Sequence, residues 1–582
     1  MNELSPRLWG GENKNSCLKG MAIQMRKMIR LNESDCKNCY KCLRHCPTKS
    51  ISFHSGRADI LWDECIFCGK CYVECPKSVK SIQNDVDTAK EFLRGKEPVF
   101  ASIAPSFAAN YDGLPIGAAR EALLSLGFAG VEETAIGATI VKNRYDELVA
   151  EGQQKVIISS CCHSINTFIQ KKYPDVLPYL APVVSPMMAH CAEIKRRNPT
   201  AKTVFIGPCI AKKAEAEEYP GPVDCVLTFG ELSAWLKEAG IVMRPPREPD
   251  VKGKATFFPV IGGILRTMRK DNPDYRYIAI DGIETGKDVL GEICAGKFPG
   301  KCFIEMTACK GSCINGPAME KGTRLVSGFM HVSDQAGKDD FAVTMPPRET
   351  LAKSIKFSGA RAVRPGSGAI KDALRRIGRM ELSDELNCGS CGYNTCREKA
   401  IAIVNGKADV SMCLPFLMES AKSFSDTVIN NSPNGILLLT EALEIKQINA
   451  AAREITQVKP QQEVLGQHVA SIMDPTLFFR VLDTRQNIMD ERVYLAEQDR
   501  YVMLNVIYDK VYQVVIGIMR DVTVFEKNKA EQKERNRKTM EVTDKVVEKQ
   551  MRTVQEIASL LGETVAETKV ALTKLKETLK DE

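Results

Sequence analysis

Residues 159–165 read SSCCHSI and follow directly on the apolar run KVIIS (155–159). Whether the adjacent Cys161 and Cys162 are core filling or chemistry decides how the whole chain is read. Neighbouring cysteines rarely bridge each other, because the short ring strains a disulfide. Alone, the pair reads as two small buried residues, since a free cysteine packs as a hydrophobe. The other cysteines reverse that reading. There are 22 in 582 residues: eight from 36 to 75, four from 388 to 413, and none from Leu414 onward. The start, MNELSPRLWGGENKN, has no basic stretch leading into an apolar one, and no apolar run reaches 18 residues. A cytoplasmic chain with no membrane segment is expected, and there thiols stay reduced, so the cysteines point to metal ligation.

The length calls for three to five domains, and 44% hydrophobic with 26% charged residues is the make-up of ordinary globular proteins. The net charge of +7 is mild, and no basic block with interleaved aromatics marks a nucleic-acid site. Residues 95–355 alternate apolar runs such as PVFASIAP and TVFIGP with helix-like stretches such as IGAAREALLSLG, an α/β pattern. MRPPREPDVKGK reads as a loop within this region or a subdomain boundary, and RAVRPGSG as the linker that ends it. From Ser423 to Phe525 short strands with turn signals follow. Beyond them Val547, Met551, Val554, Ala558, Leu561, Val565, Thr568, Leu572, Leu575 and Leu579 recur at intervals of four and three, a coiled-coil seam that Gly562 and Thr568 weaken.

CKNCYKCLRHCP (36–47) and CIFCGKCYVECP (65–76) share the spacing C-x2-C-x2-C-x3-C-P, 29 residues apart. In this two-cluster pattern the fourth cysteine of each run ligates the other cluster. One [4Fe-4S] cluster is therefore expected on Cys36, Cys39, Cys42 and Cys75, and a second on Cys65, Cys68, Cys71 and Cys46. Cys388, Cys391, Cys396 and Cys413 form a third set, C-x2-C-x4-C-x16-C, which resembles a small four-cysteine [4Fe-4S] domain; zinc is the lesser alternative. Such clusters conduct electrons, so a redox site is expected further along.

Three segments supply it: SSCCHSI, FIGPCIAKKAEAE (205–217) and FIEMTACKGSCINGP (303–317). In this order, after a two-cluster module, they resemble the signature motifs of the [FeFe]-hydrogenase family over residues 30 to 355. The resemblance implies an H-cluster, a [4Fe-4S] unit joined to a two-iron unit with CO and CN ligands. Cys162, Cys209, Cys309 and Cys313 would hold the four-iron half, with Cys313 bridging to the two irons. Cys161 would then be a free thiol carrying protons. Lys212 would face one cyanide, and Ala104, Pro105 and Ser106 the other. Glu215 is equally an i,i+3 partner of Lys212. Cys17, Cys191, Cys225, Cys294 and Cys302 read as buried thiols, and His163, in place of a proline, as structural.

The surroundings depart from the family's pattern. Tyr145, Leu148 and Ala181 stand where catalytic members have two glutamates and a serine of a proton path. Met187 replaces a glutamine, Gly207 and Thr307 replace methionines, and GPA replaces a triple glycine. Residues 423–525 resemble a PAS domain, through SPNGILLL and GIMRDVT, and the layout resembles the sensory branch of the family. The expected fold class is multidomain α+β and α/β: an N-terminal segment (1–29), a two-cluster ferredoxin-like module (30–85), a two-lobed α/β H-cluster domain (86–360), a four-Cys [4Fe-4S] domain (370–420), a PAS domain (421–526) and a coiled coil (527–582). The function implied is a hydrogen or redox sensor of low turnover, interconverting H2 with protons and electrons. It would exchange electrons with a redox partner such as ferredoxin, dimerise, and signal to a separate protein. All six histidines lie at or before His468, so the coil is no histidine kinase; His468 itself reads as an exposed loop residue. The alternatives are a ferredoxin-linked catalytic hydrogenase and a hydrogenase-like iron–sulfur scaffold lacking the two-iron unit. The missing carboxylates speak against the first, and the retained Cys161, Lys212 and Cys313 against the second.

Overall fold

A computed structural model describes residues 28–31, 36–54, 56–246, 249–320, 325–359, 365–459 and 461–578. Residues 1–27 with Cys17, and Leu579 of the seam, lie outside the described residues, as do parts of both Pro/Gly-rich stretches. The chain forms two units, 1–416 and 417–582.

In the first unit the cysteine-rich repeat is written into the backbone. Asn38, Tyr40 and Lys49 are left-handed, and so are Phe67, Gly69 and Ser78, each 29 residues further on. Non-glycine residues adopt this conformation only where surroundings impose it. Each repeat has a short helix, Lys41–Arg44 or Lys70–Val73. Ile29–Leu31 pairs antiparallel with Lys80–Ile82, and Ile51–His54 with Arg57–Ile60.

Two parallel sheets follow. One has four strands in the order Gly130–Glu133, Val99–Ile103, Lys202–Gly207, Cys225–Thr228; the other has three, Tyr275–Asp281, Lys301–Thr307, Val156–Ile158. Strands such as Val99–Ile103, Val156–Ile158 and Lys301–Thr307 are buried almost throughout, as parallel strands covered on both faces are, whereas the edge strands Gly130–Glu133 and Tyr275–Asp281 carry polar, partly open residues. After the four-stranded sheet, Asp250 ties the chain back to it by accepting from Gly117 N–H (2.6 Å) and Arg120 (2.8 Å). Helix Cys396–Val404 begins at one cysteine of the third set and packs beside helix Ser367–Arg376, and this region shares a core with the first repeat, where Ile370, Leu374, Cys391 and Tyr393 pack with Cys42, Leu43 and Phe53. Phe53 N–H donates to Lys407 O (3.1 Å), and Lys407 pairs with Glu64.

The second unit holds a five-stranded antiparallel sheet. Numbered along the chain its strands run 2-1-5-4-3, from Gly435–Thr440 to Val514–Asp521. Helices Ala450–Ile455 and Thr476–Thr484 close its core around Leu437, Phe478 and Val506. Residues 423–430, which the sequence suggested as the start of a strand-rich region, are helical. They belong to Leu414–Asn430, which passes through the domain edge placed at 420 because no glycine or internal proline stops it. Helix Thr523–Thr578 is unbroken through Gly562, and Val547, Met551, Val554, Leu561, Val565 and Leu572 are all exposed on it.

Candidate functional site

The motif segments converge because each leaves the carboxyl end of a parallel strand, where crevices of α/β sheets lie. Ala104–Ser106 follows Val99–Ile103, Cys161–Cys162 follows Val156–Ile158, Cys209 follows Lys202–Gly207 and Cys309 follows Lys301–Thr307. Tight turns bring the last segment in: Gly311 and Ser312 are left-handed, and Gly311 N–H donates to Asp281 at 2.7 Å. At Gly207 a side chain would meet the ring of Phe205 at 2.8 Å, which explains why no methionine stands there.

Cys162, Cys209, Cys309 and Cys313 lie within electrostatic reach of one another, and Cys309 also of Cys68. Cys46 lies likewise by Cys65, Cys68 and Cys71. Lys80 stands by both Cys42 and Cys75, and Cys39 by Cys42. The buried Lys399 faces Cys391, Cys413 and Cys396, with Cys388 beside Cys391. Tyr40 lies between Cys36 and Cys391. The third set therefore adjoins the first repeat, and the second repeat adjoins the hydrogenase-like centre. Among the described residues no His, Cys, Asp or Glu group closes around a single metal ion. Sulfurs around a four-iron cube stand further apart than those around one ion.

Does the pocket fit an H-cluster? Ser106 Oγ, Thr307 Oγ1 and Ser312 Oγ, from two of the converging segments, are buried without a hydrogen-bond partner. Buried hydroxyls are nearly always paired, so these ask for polar ligands of a bound group. Cys313 keeps accessible surface although protein surrounds it, which puts its sulfur on the wall of an internal hollow. Donor set, hollow and orphaned hydroxyls all fit.

Two walls flank the hollow. On one, Tyr145 is fully buried, its hydroxyl 3.2 Å from Cys161 Sγ and 3.1 Å from Ser160 Oγ, and it accepts from Ser160 N–H at 2.9 Å. Leu148 and Ala181 belong to the same apolar cluster. Burial pushes the Cys161 thiol up to about 12 and Tyr145 well above its ordinary value. Glu305, 2% exposed, is raised by burial to about 7 and accepts from Leu265 N–H at 3.1 Å.

The other wall is ionic. Lys212 Nζ donates to Glu215 Oε2 at 2.6 Å and to Cys161 O at 3.1 Å. Glu215 also accepts from Lys353 Nζ at 2.7 Å and Ser185 Oγ at 2.9 Å. Burial alone would raise Glu215, yet the two ammonium groups hold it well below the carboxylate range. Lys212 is raised, its carboxylate partner outweighing desolvation. His163 is buried and lowered to about 3, hence neutral.

Sequence reasoning missed Lys353, Ser185, Glu305 and Lys399. A lysine or serine far from any motif carries no spacing signal, although Glu305 stood inside a quoted motif. One expectation is corrected: Cys294 is exposed rather than buried, because it ends helix Ile283–Cys294 on the side away from the sheet core, whereas Cys191, Cys225 and Cys302 are buried. His468 is exposed, its ring accepting from Ala470 N–H.

Arranged this way, the chain is an iron–sulfur redox protein with a hydrogenase-type centre. Residues 97–317 match the family "Iron only hydrogenase large subunit, C-terminal domain", 28–76 a 4Fe-4S dicluster domain, and 384–415 an Fe-S cluster family. The chain is 27% identical over 382 residues to the periplasmic [Fe] hydrogenase large subunit of Nitratidesulfovibrio vulgaris, covering 53% of this chain and 89% of that protein. It is 24% identical over 216 residues to the cytosolic Fe-S cluster assembly factor NAR1 of Yarrowia lipolytica, covering 31% of this chain and 44% of the relative. Solved [FeFe]-hydrogenase HydA1 from Chlamydomonas reinhardtii is 17% identical, with a TM-score of 0.38 over 48% of this chain and all of that one. Residues 97–317 thus carry a domain of the iron-only hydrogenase large-subunit type, and the chain is a hydrogenase-like iron–sulfur protein. The second unit is similar to the PAS domain of nitrogen regulation protein NR(II) from Vibrio parahaemolyticus, 21% identical over 17% of this chain and 96% of that chain, TM-score 0.14. No helix among the described residues is long and apolar enough to cross a membrane.

Proposed function

We propose that this protein is a slow, H2-responsive [FeFe]-hydrogenase whose redox state is read by its PAS domain and passed to a separate signalling partner. An H-cluster held by Cys162, Cys209, Cys309 and Cys313 would supply reversible H2 cleavage to protons and electrons. The chain's own residues do the rest. Ser106 donates to, and Lys212 charges, the pocket for the anionic ligands of the two-iron half, while Cys161 holds the proton to be moved. Electrons leave through the Cys65 set, beside Cys309, toward the Cys36 and Cys388 sets and a ferredoxin-type carrier.

The observation that carries the reading is the wall around Cys161. Beyond the thiol come a fully buried tyrosine hydroxyl, a leucine and an alanine, and the carboxylate on the same wall, Glu305, is only 2% exposed, so proton exchange between the thiol and water is poorly served. A sensor needs its metal state to equilibrate with H2, and flux only drains reductant. Infrared spectra of the matured chain in the CO/CN region, under H2 and under argon, test this: bands that respond to H2 alongside slow turnover support it. Bands absent in a chain full of four-iron clusters favour the scaffold reading, for which the similarity to NAR1 speaks. Turnover as fast as that of dedicated hydrogen-producing enzymes favours the catalytic one.

A further inference from the structure

Two cations share one anion in the driest part of the site. Glu215 is fully buried, its Oε2 taken by Lys212 and Ser185 and its Oε1 by Lys353. The Lys353 side chain is 2% exposed, with its ammonium 4.2 Å from the centroid of the Tyr219 ring. Two ammonium groups meet one fully buried carboxylate, and Glu218, 3.4 Å from the His163 ring, is partly open to solvent. The cluster of Lys212, Lys353 and Glu215 thus carries a surplus positive charge. Burying unmatched charge is costly, and a fold that keeps it has a use for an anion at that place.

Lys353 is brought in by a separate strap. Val184 N–H donates to Leu351 O (3.0 Å) and Lys353 N–H to Pro182 O (3.2 Å), while Ala352 bridges Val183 and Leu351 is buried. These bonds fix the backbone on both sides of the lysine, so its reach to Glu215 is built rather than incidental.

We propose, on the reading of an H-cluster at this site, that Lys353 is a positioning residue that makes the pocket an anion receptor. With Lys212 on Oε2 and Lys353 on Oε1, one carboxylate is shared between two ammonium groups and cannot balance both. The Lys212 ammonium then keeps a net charge for the anionic cyanide-bearing two-iron group. Without Lys353, Lys212 and Glu215 close as a neutral pair.

The test uses the full chain, loaded anaerobically with iron and sulfide and then titrated with a synthetic two-iron dianion bearing carbonyl and cyanide ligands. Lys353→Met should keep wild-type four-iron content yet take up the dianion about tenfold more weakly, with displaced cyanide bands, since a nearby buried charge has been lost. Lys353→Met combined with Glu215→Gln restores one surplus charge, and uptake should recover. A purely structural role predicts the opposite, a double variant worse than the single. Unchanged uptake and band positions in Lys353→Met overturn the proposal, as does loss of four-iron clusters in both variants. A wild-type chain that fills its four-iron sites but never shows carbonyl or cyanide bands defeats the H-cluster reading itself.

Discussion

The two walls of the hollow have been treated oppositely. The Lys212 wall is dense with charge: a carboxylate without solvent contact, two ammonium groups and a serine, all hydrogen-bonded. The Cys161 wall is apolar apart from Tyr145 and Ser160, and its nearest carboxylate, Glu305, is raised toward neutrality by burial. Charge in a dry pocket is expensive to maintain and is lost easily when unused. On the proposed function, this contrast is what a pocket that binds an anionic group, with little call for proton flux, should show.

The largest effect should come from the sulfurs between the walls. Cys162→Ala or Cys313→Ala should prevent assembly of the centre, whereas Cys161→Ala should leave it assembled and nearly abolish turnover. An iron ligand and a proton carrier fail differently. Iron content and infrared bands separate the outcomes; loss of the centre in Cys161→Ala would remove the proposed division of labour in the doublet.

Next comes the ionic wall. Glu215→Gln leaves two buried ammonium groups facing each other, and breaking such a network costs about 3–5 kcal/mol. The melting transition of the hydrogenase region should fall by many degrees. Because the native carboxyl lies below its unfolded value, its stabilisation is present above the unfolded value of about 4.3 and is lost only as pH falls toward the native one. The deficit in the variant should therefore be full and constant from pH 6 to 8. A deficit that vanishes at pH 6 would contradict the ion-pair account.

On the apolar wall the effects are smaller and kinetic. Tyr145→Glu, Leu148→Glu and Ala181→Ser together should raise turnover about tenfold or more, each ~1.4 kcal/mol removed from the proton step being a factor of ten, while H2 binding is unchanged. Glu305 offers a pH check of opposite sign. Its native value, about 7, lies above the unfolded one, so wild-type stability should decline as pH rises from about 4.3 through 7, and Glu305→Gln should abolish that slope. An equal slope in the variant would show that Glu305 is solvated.

Much of the site was legible because cysteine spacing encodes ligand sets, and a motif at a strand's end needs only local order to reach the crevice. Lys353 was not, since it meets Glu215 across 138 residues and no local pattern announces a strap. Leu414–Asn430 was misjudged at its end because alternation over a few residues cannot separate a strand from the last turns of an exposed helix. The long terminal helix was legible from its heptads alone, yet its partner is a matter of association, which a single chain does not display.

That helix gives the smallest expected effect on chemistry. Val547, Met551, Val554, Leu561, Val565 and Leu572 form an exposed stripe at a period of 3.5 on a helix of 56 residues, about 84 Å long. A stripe of this kind is stable in water when a second copy covers it. If two copies pair through it, Leu561→Asp should place a carboxylate in the seam and shift sedimentation from dimer to monomer, whereas a wild-type chain that sediments as a monomer would leave the stripe unpaired. The substitution should leave cluster content and H2 turnover unchanged, because the hollow and its walls lie wholly within the first unit. If the seam also transmits the state of the centre, crosslinking between paired coils should differ under H2 and argon in the wild type. Identical crosslinking under both gases would leave the coil a mere tether, and a drop in turnover in Leu561→Asp would show that dimerisation serves the catalytic side after all.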